Sequence, residues 1–575
     1  MDYPTTMLPL SITFLALASL ALGYRFYSRF LAQTVFELRG DEDVPADTHH
    51  DGVDFVKSPK HVLWGHHFSS IAGAAPILGP SIAIVWGYVP ALIWIVLGVV
   101  FMGAAHDFGA LVLSMRHQGK TVGTLAADFV GPKARTLFLS VIFFLIWMVG
   151  AVFAFAIAGL FTAFPASILP VNLEILVAIG IGWWSYRRNG SLLLPSAIAL
   201  IGLYAVIFGT ATGTLWVPEA HSIFRSKIFW LWCLMIYGFV ASSLPVWLLL
   251  QPRDLINSHQ LVVGLVAIYI GFLVSDPVFH APPIGELEAL PTIIPLLFVT
   301  IACGAISGFH GLVSSGTTSK QLSCASDARP IGYGAMLGEA SLAILATMAV
   351  ATGLWSSGGD YENAWHFIHS HSVEANGSLP SVSVALRAFV NGAAGFLHAL
   401  GLPLNVGVTV VAVLVISFAA TSLDTALRIQ RLVIGEFGQI YQISILQNRW
   451  VGGIIAAGSV MILIYADFDS GAKSLWPVFG ATNQILAAFT LLLCALYVKK
   501  TSGRPLPYII PALLVMLMTF GAMGIQVYRD LNAGHWLVGG VGSIIAVLTL
   551  TIAFYGFGAW KRTNTQAPTS VPDSE

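Results

Sequence analysis

His66-His67-Phe68-Ser69-Ser70-Ile71-Ala72-Gly73-Ala74-Ala75-Pro76-Ile77-Leu78-Gly79-Pro80 opens an apolar segment that continues to residue 88. Two Gly and two Pro within eight residues would break a helix in water. A bilayer tolerates such a break where the released backbone groups line a cavity. Discontinuous helices of this kind build substrate and ion sites in secondary transporters. The bland alternative is a Gly/Pro-kinked packing helix. The rest of the chain decides between them.

The chain has 575 residues, 27 Lys+Arg against 28 Asp+Glu, and a formal net charge of −1. Charged residues are 10% and hydrophobic residues 56%, with mean hydropathy +0.80. Soluble domains carry roughly 25% charged residues, so this chain cannot cover a water-facing surface. Its apolar runs are continuous and do not alternate, which excludes an outer-membrane barrel. No basic patch exists to neutralise phosphates, so nucleic acid is not an expected partner. The four cysteines, Cys233, Cys303, Cys324 and Cys494, make neither a disulfide framework nor a metal-ligand spacing. The fold class is therefore all-α: a polytopic helical membrane protein whose partner is the lipid bilayer.

At about 20 apolar residues per crossing, the sequence predicts fifteen helices: 8–31, 66–88, 90–114, 137–163, 170–185, 191–213, 227–250, 258–276, 293–318, 331–353, 406–427, 450–466, 476–498, 507–528 and 541–559. The first lacks a positive n-region and reads as a retained span, not a signal peptide. One set of loops holds the basic residues, including Arg116, Lys133, Arg187, Arg253, Lys320, Arg428, Lys499 and Lys561. The positive-inside rule puts that set in the cytoplasm, the N-terminus outside and the C-terminus inside. Alternation works only if 383–403 does not span, so it reads as an amphipathic or re-entrant helix within an outer segment 354–405. The inner segment 32–65 is acid-rich, and the tail 563–575 reads as disordered.

Four further features carry chemistry. Helix 293–318 contains Ser307, His310, Ser314, Ser315, Thr317 and Thr318. Hydroxyl and carbonyl oxygens are hard ligands of the kind Na⁺ accepts, and His310 adds a group that titrates near physiological pH. Hydroxyls bonded to the preceding turn are the bland reading. Asp107 beside His106, Glu339 and Asp424 are intramembrane charges, functional by default. Asp424 also has a bland reading, an i,i+4 pair with Arg428 at the rim. Trp476 to Gln484 reads as interhelical glue, with Trp476 in the aromatic belt. Helix 227–250 has its own break at Gly238, Ser242, Ser243 and Pro245. No nucleotide-binding P-loop motif occurs, so ATP-driven transport within the chain is unsupported.

Trp64-Gly65-His66-His67-Phe68 with the following Gly/Pro stretch resembles the carbon starvation protein A family. So do His106-Asp107-Phe108, Ile306 to His310 with Ser314 to Leu322, Tyr333 to Met336 before Glu339, and Trp476 to Gln484. The match is collinear from about Leu63 to Ala487. The resemblance implies an inner-membrane carrier for oligopeptides or for pyruvate with a proton, linked to nutrient starvation. It also implies likeness to the amino acid–polyamine–cation transporters, whose fold has two inverted five-helix repeats.

On that basis 66–427 is the expected transport core, with repeats 66–213 and 227–427. Residues 1–65 are a first helix and loop, and 428–562 are peripheral helices. The expected substrate is a small carboxylate, peptide or pyruvate, held by half-helix N-termini. His66, His67, Ser69, Ser70, Gly73, Pro76, Ser242, Ser243, Ser307 and His310 would line its path. Ser314, Ser315, Thr317, Thr318, Asp107, Glu339 and Asp424 would couple it to H⁺ or Na⁺, with Ser314, Ser315, Thr317 and Thr318 facing the carbonyls around Ala72–Pro76. No cofactor and no metal is expected, and the sequence carries no sign of oligomeric state. The rival reading is an intramembrane metal-dependent enzyme using His66, His67, His106 and Asp107.

Overall fold

A computed structural model describes residues 7–51, 55–188, 190, 192–219, 221–245, 247–285, 293–357, 360–374, 379–468 and 472–565. Most of the expected disordered tail 563–575 lies outside them. The helices that position the site are α1 (Leu8–Val35), α2 (Lys60–Ile71), α3 (Ala75–Trp86), α4 (Tyr88–Arg116), α5 (Pro132–Ala163), α6 (Pro165–Arg188), α7 (Leu193–Ala211), α8 (Lys227–Ser243) and α9 (Leu250–Val274). They continue with α10 (Ile293–Thr300) and α11 (Gly308–Gly316). Then come α12 (Ala325–Thr352), α13 (Ala364–Glu374), α14 (Val382–Ala399), α15 (Leu404–Ile440), α16 (Arg449–Ala466), α17 (Leu475–Thr501), α18 (Leu506–Asn532) and α19 (Trp536–Arg562).

The Gly/Pro stretch breaks its helix as expected. α2 and α3 meet at residues 72–74 with a bend of 46°. The segment expected as one helix over 293–318 is also split. Residues 301–307 are non-helical between α10 and α11. The break expected within 227–250 is instead a helix end: α8 stops at Ser243, and Pro245 lies in the connection to α9. The two interruptions therefore belong to α2–α3 and α10–α11.

Residue pairs fix the direction of the other helices. Arg135, near the start of α5, binds Glu436 near the end of α15 at 3.0 Å. Asn405, at the start of α15, donates to the Ala211 carbonyl at the end of α7 at 2.6 Å. The long helices α5 and α15 thus run antiparallel, and they pack against each other along the centre of the bundle. α15 begins on the face opposite the basic loops, so α14, which precedes it, has to start and end there. Ser383 lies against Gly159 near the end of α5, and Phe396 against Gly271 near the end of α9. α14 is long and apolar enough to pass for a span, but it lies across that opposite face, as expected for 383–403. A hairpin, Leu354–Ser357 paired antiparallel with Asp360–Asn363, precedes it on the same side.

Thirteen helices are long and apolar enough to cross a membrane. Leaving α14 out, and counting α2–α3, the shorter α8 and the split α10–α11 as one crossing each, gives fifteen crossings among the described residues. They show an inverted correspondence. α4 packs on α11, and α12 packs on α2 and α3. α8 and α16 each pack on both long helices and on each other. α9 packs on α2 and α15, while α17 packs on α11 and α5. Reading α2–α3, α4, α5, α8, α9 against α10–α11, α12, α15, α16, α17 maps one set of contacts onto the other. The fold is all-α with inverted repeats and broken helices.

Candidate functional site

The two interruptions touch. A Cβ built on Gly304 would lie 3.7 Å from the Pro76 Cα. Two half-helix N-termini, those of α3 and α11, start beside the contact. Each presents the positive end of its dipole there.

Neighbouring helices satisfy part of what the second interruption exposes. Trp94 Nε1 donates to the Ile301 carbonyl at 3.1 Å, and Gln484 Nε2 to the Phe298 carbonyl at 2.6 Å. Asn483 accepts from the Phe309 amide at 2.9 Å, and its amide donates to Ser307 Oγ at 3.0 Å. Asn483 and Gln484 are thus interhelical glue, as the sequence suggests, whereas Thr482 donates to the Val478 carbonyl of its own helix at 2.7 Å. Trp476 is buried, so its expected place in an aromatic belt at the lipid interface is corrected: it belongs to the protein core.

Below the second interruption stands a chain of ionisable side chains, all fully buried. His106 Nδ1 lies 2.7 Å from Asp107 Oδ1. His310 Nδ1 lies 3.1 Å from Asp107 Oδ2, and His310 Nε2 is 3.3 Å from Glu339 Oε2. α4, α11 and α12 each supply part of it. His310 therefore stands between two carboxylates, with no Lys or Arg in the chain. An imidazole so placed can take a proton from one acid and return it to the other. His67 joins from α2, its Nδ1 2.8 Å from Thr318 Oγ1.

Three of the four helix 293–318 hydroxyls are bonded away from the first interruption. Ser315 donates to the Gly311 carbonyl at 2.7 Å and accepts the Val122 amide at 3.1 Å. Thr317 donates to the Val313 carbonyl at 2.9 Å. Thr318 is joined to His67, and Ser314 Oγ has no hydrogen-bond partner. The hydroxyl that does lie against Gly73 is Ser422 on α15, directly where a Cβ at Gly73 would point. Ser422 was hidden in the sequence because its helix is unbroken; its only signal was the polar run 421–424.

Other expected site residues are placed as follows. His66 is one-quarter exposed and stands 3.6 Å from Asp254. Ser69 and Ser70 donate to the His66 carbonyl at 3.1 and 2.7 Å. Ser242 and Ser243 donate to the Phe239 carbonyl, both at 2.9 Å, and Ser243 lies beside Gly453 of α16, away from the interruptions. Asp424 is not held by Arg428, which donates to the Ala241 and Leu244 carbonyls at 3.0 and 2.7 Å. Its partners are Arg253 and Tyr237. Arg253, expected in a basic loop, is buried one turn inside α9.

Among the described residues, no group of three or more His, Cys, Asp or Glu could hold a metal ion. The family model for carbon starvation protein CstA matches residues 9–522. The chain is 33% identical to the peptide transporter CstA of Helicobacter pylori, over 87% of this chain and 79% of that one. It is 29% identical to the pyruvate/proton symporter BtsT of Escherichia coli, over 95% of this chain and 91% of that one. Among solved structures, MhsT in complex with L-phenylalanine aligns over 80% of this chain and 99% of its own, at 14% identity and a TM-score of 0.44. The relatives are transporters, and the metal-dependent enzyme alternative finds no support. By extent and identity of match, this chain is a member of the carbon starvation protein CstA family.

Proposed function

We propose that the chain is a secondary active transporter that imports a small carboxylate together with a proton across the bacterial inner membrane. Pyruvate and the C-terminus of a short peptide both carry the required group. One observation carries the reading: two half-helix N-termini converge at touching interruptions, and the helix starting at one of them bears His310 between Asp107 and Glu339. The substrate carboxylate lies between Gly73, Pro76 and Ser307, where the positive dipole ends of α3 and α11 favour an anion. The proton rides on the Glu339–His310–Asp107 chain. When α11 tilts with the substrate, His310 exchanges one carboxylate partner for the other, and the two fluxes become linked. His66, one-quarter exposed at the end of the path, opens toward the basic face, which is cytoplasmic by the positive-inside rule. In this reading the two repeats are 60–274 and 293–501, with α6 and α7 inserted in the first and α1, α18 and α19 outside both.

Sodium coupling has one observation in its favour: the Ser422 hydroxyl lies against the first interruption. A single experiment separates the two readings. Reconstituted vesicles are given labelled pyruvate or a labelled dipeptide under an imposed pH gradient or an imposed sodium gradient. Accumulation with the pH gradient, lost in His310→Ala, is the expected result. Accumulation with sodium alone, unaffected by His310→Ala, would overturn proton coupling.

A further inference from the structure

A second buried charge network lies outside the chain just described. α9 supplies Arg253, Asp254 and Asn257; α15 supplies Ser417, Thr421 and Asp424; α8 supplies Tyr237; and α6, in the inserted pair, supplies Glu174. Arg253, Asp424 and Asn257 are at most 1% exposed, and Asp254 and Glu174 at most 5%. Arg253 donates to Asp424, and Tyr237 donates to the same carboxylate at 2.7 Å. Asn257 Nδ2 donates to Thr421 Oγ1 at 2.7 Å. Asp254 faces His66 at 3.6 Å. Matching cations to anions leaves one acid over. Arg253 goes with Asp424, His66 with Asp254, and Glu174 has neither. Its Oε2 accepts only the Ser417 hydroxyl, at 2.7 Å, and its Oε1 has no hydrogen-bond partner.

A carboxylate fully desolvated with no cation bonded to it is expensive, and the inexpensive solution is a proton. Arg253 and Asp254 lie within electrostatic range of Glu174, but they act in opposite senses. The elements packed on α6 bring a defined set of titratable groups: α8 brings Tyr237, whose hydroxyl is bonded to Asp424 and Arg253. α9 brings Arg253 and Asp254, and α15 brings Asp424. α7 carries only Tyr204, which lines an apolar groove with Leu397 and Val406. The short turn 165–167 brings no titratable side chain.

We propose that Glu174 is a second, reversible proton-binding site, reached from the basic face through His66 and Asp254, and that it carries one proton per transport cycle in addition to the one on the His310 chain. The inference deepens the proton-symport reading and rests on it for the role in the cycle. α2 carries His66, so movement of this half-helix makes or breaks the connection between Asp254 and water. The inserted pair α6–α7 then has a reason to be there: it brings an acid to α15 that neither repeat supplies.

The test uses the full chain reconstituted in lipid. Infrared difference spectra between acid and alkaline pH should show a protonated-carboxyl signal that Glu174→Gln loses. Ser417→Ala, which removes only the hydroxyl donated to Oε2, should displace the pH midpoint of that signal, and this keeps the test decisive where the Gln variant folds poorly. In vesicles, the proton-to-substrate flux ratio should fall by about one in Glu174→Gln. An unchanged signal in Glu174→Gln, or an unmoved midpoint in Ser417→Ala, overturns the site. A lost signal with an unchanged flux ratio overturns its part in the cycle. If wild-type vesicles move substrate without any proton, the symport reading fails by itself, and the infrared arm still decides whether Glu174 binds a proton.

Discussion

Two buried charge networks are built on opposite logic. The Glu339–His310–Asp107–His106 chain contains acids and imidazoles only. The Arg253–Asp424 network is anchored by a guanidinium that stays charged at every accessible pH. The first can change its net charge by one proton at any of its members, because an imidazole serves as donor or acceptor. The second cannot change at its centre without leaving a bare ion in lipid; only its edge, at Glu174, is open to titration. The first draws His310 from the half-helix that starts at an interruption, and its acids from the continuous α4 and α12. The second ties α8, α9 and α15, none of which is broken. An interrupted helix supplies the central imidazole of the adaptable network, and continuous helices carry the centre of the fixed one.

The largest expected effect follows from the fixed network. Arg253→Ala strands Asp424 in the bundle, and breaking a buried pair costs roughly 3–5 kcal/mol. The thermal midpoint of the purified variant should drop sharply, and Arg253→Met with Asp424→Leu should regain much of it. A single variant as stable as wild type would show that the guanidinium is not holding the scaffold. Next comes the adaptable network. Site-to-site coupling is typically about 1–3 kcal/mol, roughly 5–150-fold. His310→Gln should therefore cut pH-driven accumulation by roughly tenfold while the thermal midpoint moves little. A stability loss as deep as that of Arg253→Ala would erase the contrast between the networks.

How much of this was legible in the sequence depends on what each feature looks like along the chain. The break at Gly73–Pro80 was legible because Gly and Pro announce it locally. The split at 301–307 was not: Ile301 to Ser307 contains one Gly and no Pro. The released backbone there is held by Trp94, Asn483 and Gln484, two of which come from a helix almost two hundred residues away. The break read at Ser242–Pro245 was a true Pro signal with the wrong meaning, since Pro ends a helix as readily as it interrupts one. That misplacement moved the expected repeat boundary. Asp107, His310 and Glu339 stood out because charge within an apolar run is rare. Their meeting was invisible, since it joins residues 203 positions apart. Arg253 lies next to a loop in sequence, where a basic residue is ordinary, and only the packing of α8, α9 and α15 shows it as interior.

α15 joins the fixed network to the first interruption within four residues: Thr421 bonds Asn257, Ser422 lies against Gly73, and Asp424 holds Arg253. Gly73→Ala would drive a methyl group into the Ser422 hydroxyl. Overpacking costs typically about 1–3 kcal/mol, and here the half-helix α2–α3 can relieve it by shifting. The variant should lose uptake more than stability, and adding Ser422→Gly should restore uptake because the two changes are in contact. Additive losses in the double variant would place Ser422 away from the interruption.

The smallest effects distinguish two adjacent hydroxyls at the end of α11, and they show where the adaptable network stops. Thr317 is exposed and bonded to the Val313 carbonyl of its own helix, at 2.9 Å. A helix tolerates loss of such a back-bond, so Thr317→Ala should stay within about 0.5 kcal/mol of wild type. Thr318 is buried and bonded across to His67 on α2, at 2.8 Å. Removing that hydroxyl leaves a buried imidazole nitrogen without its partner, a loss of about 1–3 kcal/mol. His67 Nε2 already lacks a hydrogen-bond partner, so the variant would leave the ring with none. Thr318→Ser keeps the hydroxyl and should recover most of the loss. The comparison also bears on coupling, because the interaction joins α2 to α11, the two half-helices expected to move. Thr318→Ala should therefore lower gradient-driven uptake as well as stability, while Thr317→Ala lowers neither. Equal behaviour of the two variants in both assays would mean that the adaptable network ends at His310 and that His67 is packing alone.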